Sequence, residues 1–306
     1  MRLLVVGAGA TGGYFGARLA AAGRDVTFLV RPARAQALRE SGLQVTSPHG
    51  DLALTPQLLV TGEATDAFDA VLVTVKAYAL DAALADIAPA VGPNTMILPV
   101  LNGMKHVDIL TERFGAQAVV GCVCKIAATI GAQGQIVQLA KFHELAYGEM
   151  DGSSSERTAM LDGFMQGASF DAKLSRGIAH AMWQKWVLLA GLGGINCLMR
   201  GSVGDIAAAP GGEVLVDRFM AEVLAVVAAA GHPMTADYIA QTRATLTQAG
   251  SAFTSSMYRD LLAGYPIEAD QIIGDMVARG HRCGVATPLL DAAYTNLAIY
   301  QAGRGR

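Results

Sequence analysis

The stretch "VVGAGATGGYFG", residues 5–16, decides the fold of this chain. It carries G-x-G-x-x-G at Gly7, Gly9 and Gly12, directly after the β-branched run "RLLVVG" and at the head of an alanine-rich segment with helical spacing over 11–22. Both flanks are what a dinucleotide-binding turn requires. The first glycine permits the sharp turn, the second lets the backbone approach a pyrophosphate, and the third allows the helix to pack closely on the strand. The helix N-terminus adds unpaired amides and the positive end of its dipole. Gly7, Gly9, Ala10, Thr11 and Gly12 are therefore the expected cofactor contacts.

Outward from that turn, short apolar runs alternate with helical stretches: "DVTFLV", 33–40, "AVLVTV", 80–90 and "TMILPV". Such alternation is the pattern of βαβ units and a parallel sheet, whose ligands collect outside the carboxyl ends of the strands. Three polar residues stand at such ends. Arg31 closes the second strand where an NAD-binding protein offers an acid to the ribose, so Arg31, with Arg34 nearby, favours the 2′-phosphate of NADPH. Lys76 follows "VLVTV" and Asn102 follows "ILPVL", although Asn102-Gly103 is also a turn dipeptide in its own right. Between 121 and 147 the pieces "GCVCKIAATI", "GQIVQLA" and "HELAYG" read as antiparallel strands added at the end of that sheet.

From about Leu161 the texture becomes helical, with no convincing strand. Residues 207–231 read as one helix, with Val214, Val216, Phe219, Met220, Val223, Val226 and Val227 on its apolar stripe. The last polar break is "FDAKLSRG", residues 170–177, which places the domain boundary at 174/175. The expected fold is thus an α/β Rossmann-type N-terminal domain (1–174) followed by an all-α C-terminal domain (175–306).

The helical half holds two charged residues in apolar settings. In "HAMWQKWVLLAGLGGINCLM", residues 180–199, Lys185 shares a helix face with Ala181, Met182, Leu188 and Leu189. A lysine so placed either snorkels along its stem or stays inside, where burial disfavours the ammonium and suits proton transfer. In "GYPIEADQIIGDMVARG" the spacing predicts a helix with Pro266 in its first turn, ending before Gly280. Glu268 then stands above the stripe of Ile272 and Met276, directed inward, or else complements the helix dipole. Ser255 and Ser256 in "FTSSMYRDLL" offer hydroxyls for a substrate carboxylate or for capping, and capping needs only one of them.

The chain as a whole favours a small-molecule enzyme. Its 306 residues are 52% hydrophobic and 16% charged, enough for a large core. A net charge of -3, without a basic block, gives no reason to expect nucleic acid or a membrane surface as partner. The cysteines Cys122, Cys124, Cys197 and Cys283 form no C-x-x-C, so neither a disulfide framework nor a metal site is suggested, and a cytoplasmic setting fits. No segment reaches the ~18 apolar residues of a membrane span.

Taken together, "GAGATGGYFGARLAAAG", Arg31, "VTVKAY", "LNGM", "WQKW", "GSVGDI" and "TSSMYRDLLAGYPIEAD" resemble the ketopantoate reductase (2-dehydropantoate 2-reductase) family over essentially the whole chain. The resemblance implies a 6-phosphogluconate dehydrogenase-like architecture, NADPH as cofactor, substrate in a cleft between the domains, and a place in pantothenate biosynthesis. It implies Lys185 as general acid, Glu268 as a substrate-orienting carboxylate, Ser256 as a carboxylate contact, and Asn102 and Lys76 beside cofactor and substrate. A homodimer is compatible with it. The family's lysine helix commonly continues K-x-x-x-N-x-x-x-N, whereas Leu189 and Gly193 stand here, and a further family asparagine is Val203. Asn196 is the nearest amide that can replace one of them.

The expected activity is NADPH-dependent reduction of a 2-keto acid, ketopantoate or a relative, with Lys185 protonating the ketone oxygen. A 3-hydroxyacid or opine-type dehydrogenase and a non-catalytic NADPH-sensing protein are the alternatives.

Overall fold

Strand β1 (Arg2–Val6) is buried on both faces, the condition of a central parallel strand. Leu3 and Val5 join one apolar cluster with Phe15 and Leu19, and Leu4 and Val6 join another with Leu84 and Ile87. The computed structural model describes residues 1–304. Within them the alternation runs from β1 through α1 (Ala10–Ala21), β2 (Asp25–Val30) and α2 (Pro32–Ser41) to β3 (Leu43–Thr46), β4 (Leu52–Leu54) and β5 (Gln57–Val60). It continues as β6 (Ala70–Val73), α3 (Leu80–Ile87), β7 (Met96–Pro99), α4 (Lys105–Phe114), β8 (Val120–Ile130), β9 (Ile136–Glu149), α5 (Glu156–Met165) and β10 (Asp171–Leu174).

The first sheet has the order β5-β2-β1-β6-β7, with every pair parallel. The order reverses direction at β1 and β6, which makes the crevice beyond their carboxyl ends the natural ligand position. The strand pieces expected to extend this sheet form a sheet of their own instead. β9 runs antiparallel to β8 and parallel to both β3 and β10, and β4 pairs with β3. The sequence showed "GQIVQLA" and "HELAYG" as two strands, but they are one, and a register shift opposite Ile126 and Ala128 accommodates the irregularity. β3, β4, β5 and β10 went unread because, unlike the equally short but fully buried β6 and β7, they are partly exposed, with apolar runs that are shorter or broken by polar residues.

Helices follow: α6 (Ile178–Met199), α7 (Val203–Ala208), α8 (Gly212–Ala229), α9 (Ala236–Leu246), α10 (Ser256–Leu262), α11 (Asp275–Arg282) and α12 (Pro288–Gly303). The helix expected over 207–231 is two, broken at Pro210 and Gly211, whose φ of +79° suits glycine. Val214 accordingly leaves the stripe and is exposed, while Val216, Phe219, Met220, Val223, Val226 and Val227 are buried.

The chain divides into two compact units, one of residues 1–101 and 106–179, the other of residues 102–105 and those from His180 onward. The division falls at Ala179/His180, a few residues past the polar break at 174/175. The first turn of α6 stays with the first unit because Ile178, fully buried, lies where a side chain at Gly121 or Gly148 would stand. Among the described residues no helix is long and apolar enough to cross a membrane.

Candidate active site

In the first unit the glycine turn joins β1 to α1 at the point where the strand order reverses. Gly7 has a φ of +96°, and Cβ at Gly12 would lie 2.0 Å from Thr74 Oγ1 and 2.4 Å from the Gly7 carbonyl oxygen. Gly7 is required by its positive φ and Gly12 by the lack of room for a Cβ, both features of the protein's own structure. Gly9 is different: it is exposed, and a Cβ there would meet nothing within 4 Å. Gly9 is also the residue preceding α1, and no side chain caps that helix. The amides of Ala10, Thr11 and Gly12 therefore face an uncrowded approach with the helix dipole behind them.

Thr74, just beyond β6, holds the turn in place. Its hydroxyl donates to the carbonyls of Val6 (2.7 Å) and Gly7 (3.1 Å). Arg34 braces the same turn by donating from Nη2 to the carbonyls of Ala8 and Gly134, each at 3.2 Å. Burial pushes its guanidinium below the ordinary arginine pKa. With Arg34 so engaged, Arg31, exposed at the start of α2, is the arginine open to a ligand at the end of β2. Lys76, after β6, is likewise exposed.

The second unit collects the other expected residues. Asn102 belongs to this unit although it follows β7, and its Nδ2 donates to Glu268 Oε2 at 3.3 Å. Gly103 beside it has a φ of +84°, and its Cβ position is 2.4 Å from the Gln271 carbonyl oxygen, so the backbones meet there. Glu268 is buried, at 6% exposure. It does not lie in the first turn of a helix as the sequence suggested. Pro266 to Glu268 are non-helical, and the helix begins at Ala269 with a π turn, Asp270–Gly274, before α11, which runs past Gly280 to Arg282. The Glu268 carbonyl accepts the amide of Ile272 at 3.0 Å.

A π turn widens the helix, and such turns recur at functional sites. Here the Ile272 carbonyl accepts the indole Nε1–H of Trp186 at 2.9 Å. Trp186 is fully buried and follows Lys185, so this bond fastens the lysine's turn of α6 to the segment that begins at Glu268. Lys185 itself is half-buried, and so are Ala181, Leu188 and Leu189 on its face. Of the two placements the sequence left open, neither is complete: Lys185 is half-buried on a face whose fourth apolar residue, Met182, is buried.

The two serines separate cleanly. Ser255 caps α10, accepting the Tyr258 amide at 3.0 Å, while Ser256 is half-exposed and its hydroxyl makes no hydrogen bond among the described residues. Asn196 is fully buried, and both ends of its amide are used: Oδ1 accepts from the Ser255 amide at 2.9 Å and Nδ2 donates to the Gly201 carbonyl at 2.8 Å. It stands as a scaffold for Ser255, not as a replacement for a missing substrate amide.

Comparison with known proteins now decides the family. The profile of ketopantoate reductase PanE/ApbA matches residues 3–152, and that of the family's C-terminal part matches residues 177–301. The chain belongs to the ketopantoate reductase family. It is 33% identical over 302 residues, 99% of each chain, to the uncharacterized oxidoreductase YkpB of Bacillus subtilis. It is 28% identical to the 2-dehydropantoate 2-reductase of Mesorhizobium japonicum, covering 95% of each. The crystal structure of the 2-dehydropantoate 2-reductase of Geobacter metallireducens superposes with a TM-score of 0.87 at 29% identity, covering 98% of this chain and 99% of that one. The parallel-sheet N-terminal domain and helical C-terminal domain are those of this oxidoreductase family.

Three residues went unread by sequence reasoning: Thr74, which supports the glycine turn, Trp186, which anchors the lysine helix, and Met257, which lies against Gly193. Only Thr74 carried a signal, as a polar residue at a strand end among the apolar "VLVTV". Nothing local distinguishes Trp186 or Met257 from core residues.

Proposed function

We propose that this member of the ketopantoate reductase family reduces a 2-keto acid, ketopantoate or a relative of it, with NADPH. The observation that carries the reading is the uncrowded helix N-terminus at Gly9, set between two glycines that backbone conformation and packing explain. Such a turn fits a pyrophosphate. Gly7, Gly9, Ala10, Thr11 and Gly12 would hold it, Arg31 would meet the 2′-phosphate, and Lys76 would stand near the cofactor. When bound, NADPH supplies the hydride that goes to the keto carbon.

Lys185 gives a proton from Nζ to the ketone oxygen as negative charge develops there, and the neutral amine regains one from water. A positioned acid of this kind accelerates such a step by about 100-fold or more. Asn102 and Glu268, joined by their hydrogen bond, orient the substrate, and the Ser256 hydroxyl contacts its carboxylate. The experiment is to follow nicotinamide absorbance as the protein is mixed with NADPH and a panel of 2-keto acids. Turnover in the wild type that is lost in Lys185→Ala is the expected result. Absence of turnover with every acid, or normal turnover in the variant, contradicts the reading.

A further inference from the structure

We infer that Arg34 is a positioning residue for the nucleotide turn: by tying the Ala8 carbonyl to the tip of the β8–β9 hairpin it orients the Ala8–Gly9 peptide, and it does so alike for NADPH and NADH. The inference rests on the reading of this turn as a dinucleotide site. Every residue it uses lies in the first unit.

Three elements meet at Ala8. Arg34 stands in the first turn of α2, and its Nη2 donates to the carbonyls of Ala8 and Gly134, each at 3.2 Å. Gly134 lies in the turn between β8 and β9 with a φ of +80°, and its amide donates to the Gly131 carbonyl at 2.9 Å. The same hairpin touches the nucleotide turn a second time. At Gly13 a Cβ would lie 2.3 Å from Ile136 Cδ1 and 3.5 Å from the Ala8 carbonyl oxygen. Ile136, the fully buried first residue of β9, thus packs where that side chain would stand. The second sheet therefore reaches the glycine turn of the first through one guanidinium and one isoleucine.

The peptide held in this way is the one that packing does not hold. A peptide unit is planar and trans, so fixing the Ala8 carbonyl also fixes the opposite N–H, that of Gly9. Gly9 has no side chain to anchor it, and a Cβ there would meet nothing within 4 Å. Its φ of -86° and ψ of -166° lead into α1, whose first amides are the anion contacts of the proposed site. Glycine adopts many other conformations as readily, so that entry needs an external restraint. Ala8 is only 4% exposed, and Arg34 supplies the hydrogen bond that its carbonyl needs there. The role differs from that proposed for Arg31. Arg31 would meet the 2′-phosphate, which NADH lacks, whereas the turn serves the pyrophosphate, which both nucleotides carry.

The test is a fluorescence titration of the full chain with NADPH and with NADH, read for both affinity and number of sites. Arg34→Met keeps an apolar stem and removes the donors. It is expected to raise both Kd values by about tenfold, the scale of hydrogen bonds lost from a charged group, with their ratio and the number of sites unchanged. A loss confined to NADPH would make Arg34 a phosphate contact and overturns the inference. Fewer sites of unchanged affinity, the result of a merely weakened fold, overturns it too. Gly134→Ala strains the hairpin tip while leaving the guanidinium in place. It is expected to weaken both nucleotides by roughly threefold in the wild type and to add nothing to Arg34→Met, since coupled positions are not additive. Full additivity overturns the link through Arg34. Wild-type protein that binds neither nucleotide overturns the reading of the turn itself, whereas wild-type binding that Arg34→Met leaves unchanged overturns this inference alone.

Discussion

The glycine turn of the first unit and the lysine face of the second are built from different material. The turn is backbone: its shape is fixed because Gly7 needs a positive φ and Gly12 has no room for a carbon, and Thr74 and Arg34 tie down its carbonyls. The lysine face is side chain: Lys185, Glu268, Asn102 and Ser256 come from four separated segments, and the Trp186 indole bond and the Asn102–Glu268 bond fasten three of those segments together. A backbone site is rigid and legible, because steric rules restrict which residues can form it. A side-chain site depends on how helices pack, which many sequences satisfy.

The sharpest way to break the comparison is inside the glycine turn. Gly12→Ala drives Cβ into Thr74 and the Gly7 carbonyl and is expected to cost about 3 kcal/mol, seen as a lowered denaturation midpoint. Gly9→Ala meets nothing and is expected to keep the wild-type midpoint while weakening NADPH binding in a fluorescence titration. Equal midpoints for the two variants would mean that the turn is not sterically fixed.

Next in size is the lysine. Lys185→Ala is expected to lower kcat by about 100-fold or more with the NADPH Kd unchanged, because in the proposed reaction the side chain acts on the ketone and not on the nucleotide. A matching loss of NADPH affinity would merge the two sites that the comparison separates.

Arg31 tests whether any side chain matters to the backbone site. Arg31→Asp replaces the proposed phosphate partner with a like charge and is expected to weaken NADPH by roughly tenfold relative to NADH in parallel titrations. An unchanged ratio returns Arg31 to the solvent-exposed surface where it stands.

The smallest effect is a slope with pH. Tyr14, two residues beyond Gly12, hydrogen-bonds through its hydroxyl to Nδ1 of His143 at 2.7 Å, and His49 stacks on His143 with ring centroids 3.8 Å apart. Burial first, and then the charges of His49 and Arg18, push the His143 imidazole below its ordinary value of 6.5, with Asp171 opposing. The unfolded chain therefore takes up its proton at higher pH than the folded one. The resulting stability is fully present above about pH 6.5 and declines as pH falls through the folded pKa. Melting temperatures between about pH 7.5 and about pH 5 are expected to fall less steeply in His143→Gln than in wild type. Equal slopes would remove His143 from the acid response.

The parallel sheet, the glycine turn and the change to helices were legible because each rests on a periodicity or a steric rule contained in a few neighbouring residues. The second sheet was misplaced because pairing partners such as β9 and β3 lie far apart in sequence. The break between α7 and α8 was passed over although Pro210 and Gly211 mark it, since the apolar stripe on either side outweighed them.

By itself the sequence determined the ingredients: a G-x-G-x-x-G pattern between a strand and a helix, a basic residue at the end of the second strand, and a lysine and a glutamate amid apolar residues. Their arrangement was decided by tertiary structure. It moved Asn102 into the helical unit and against Glu268, gave Ser255 the capping role and left Ser256 its hydroxyl. It spent the amide of Asn196 within the core and filled the space at Gly193 with Met257. The physical reason is that hydrogen-bonding capacity is a property of a residue type, whereas its availability depends on which partners the fold brings within reach.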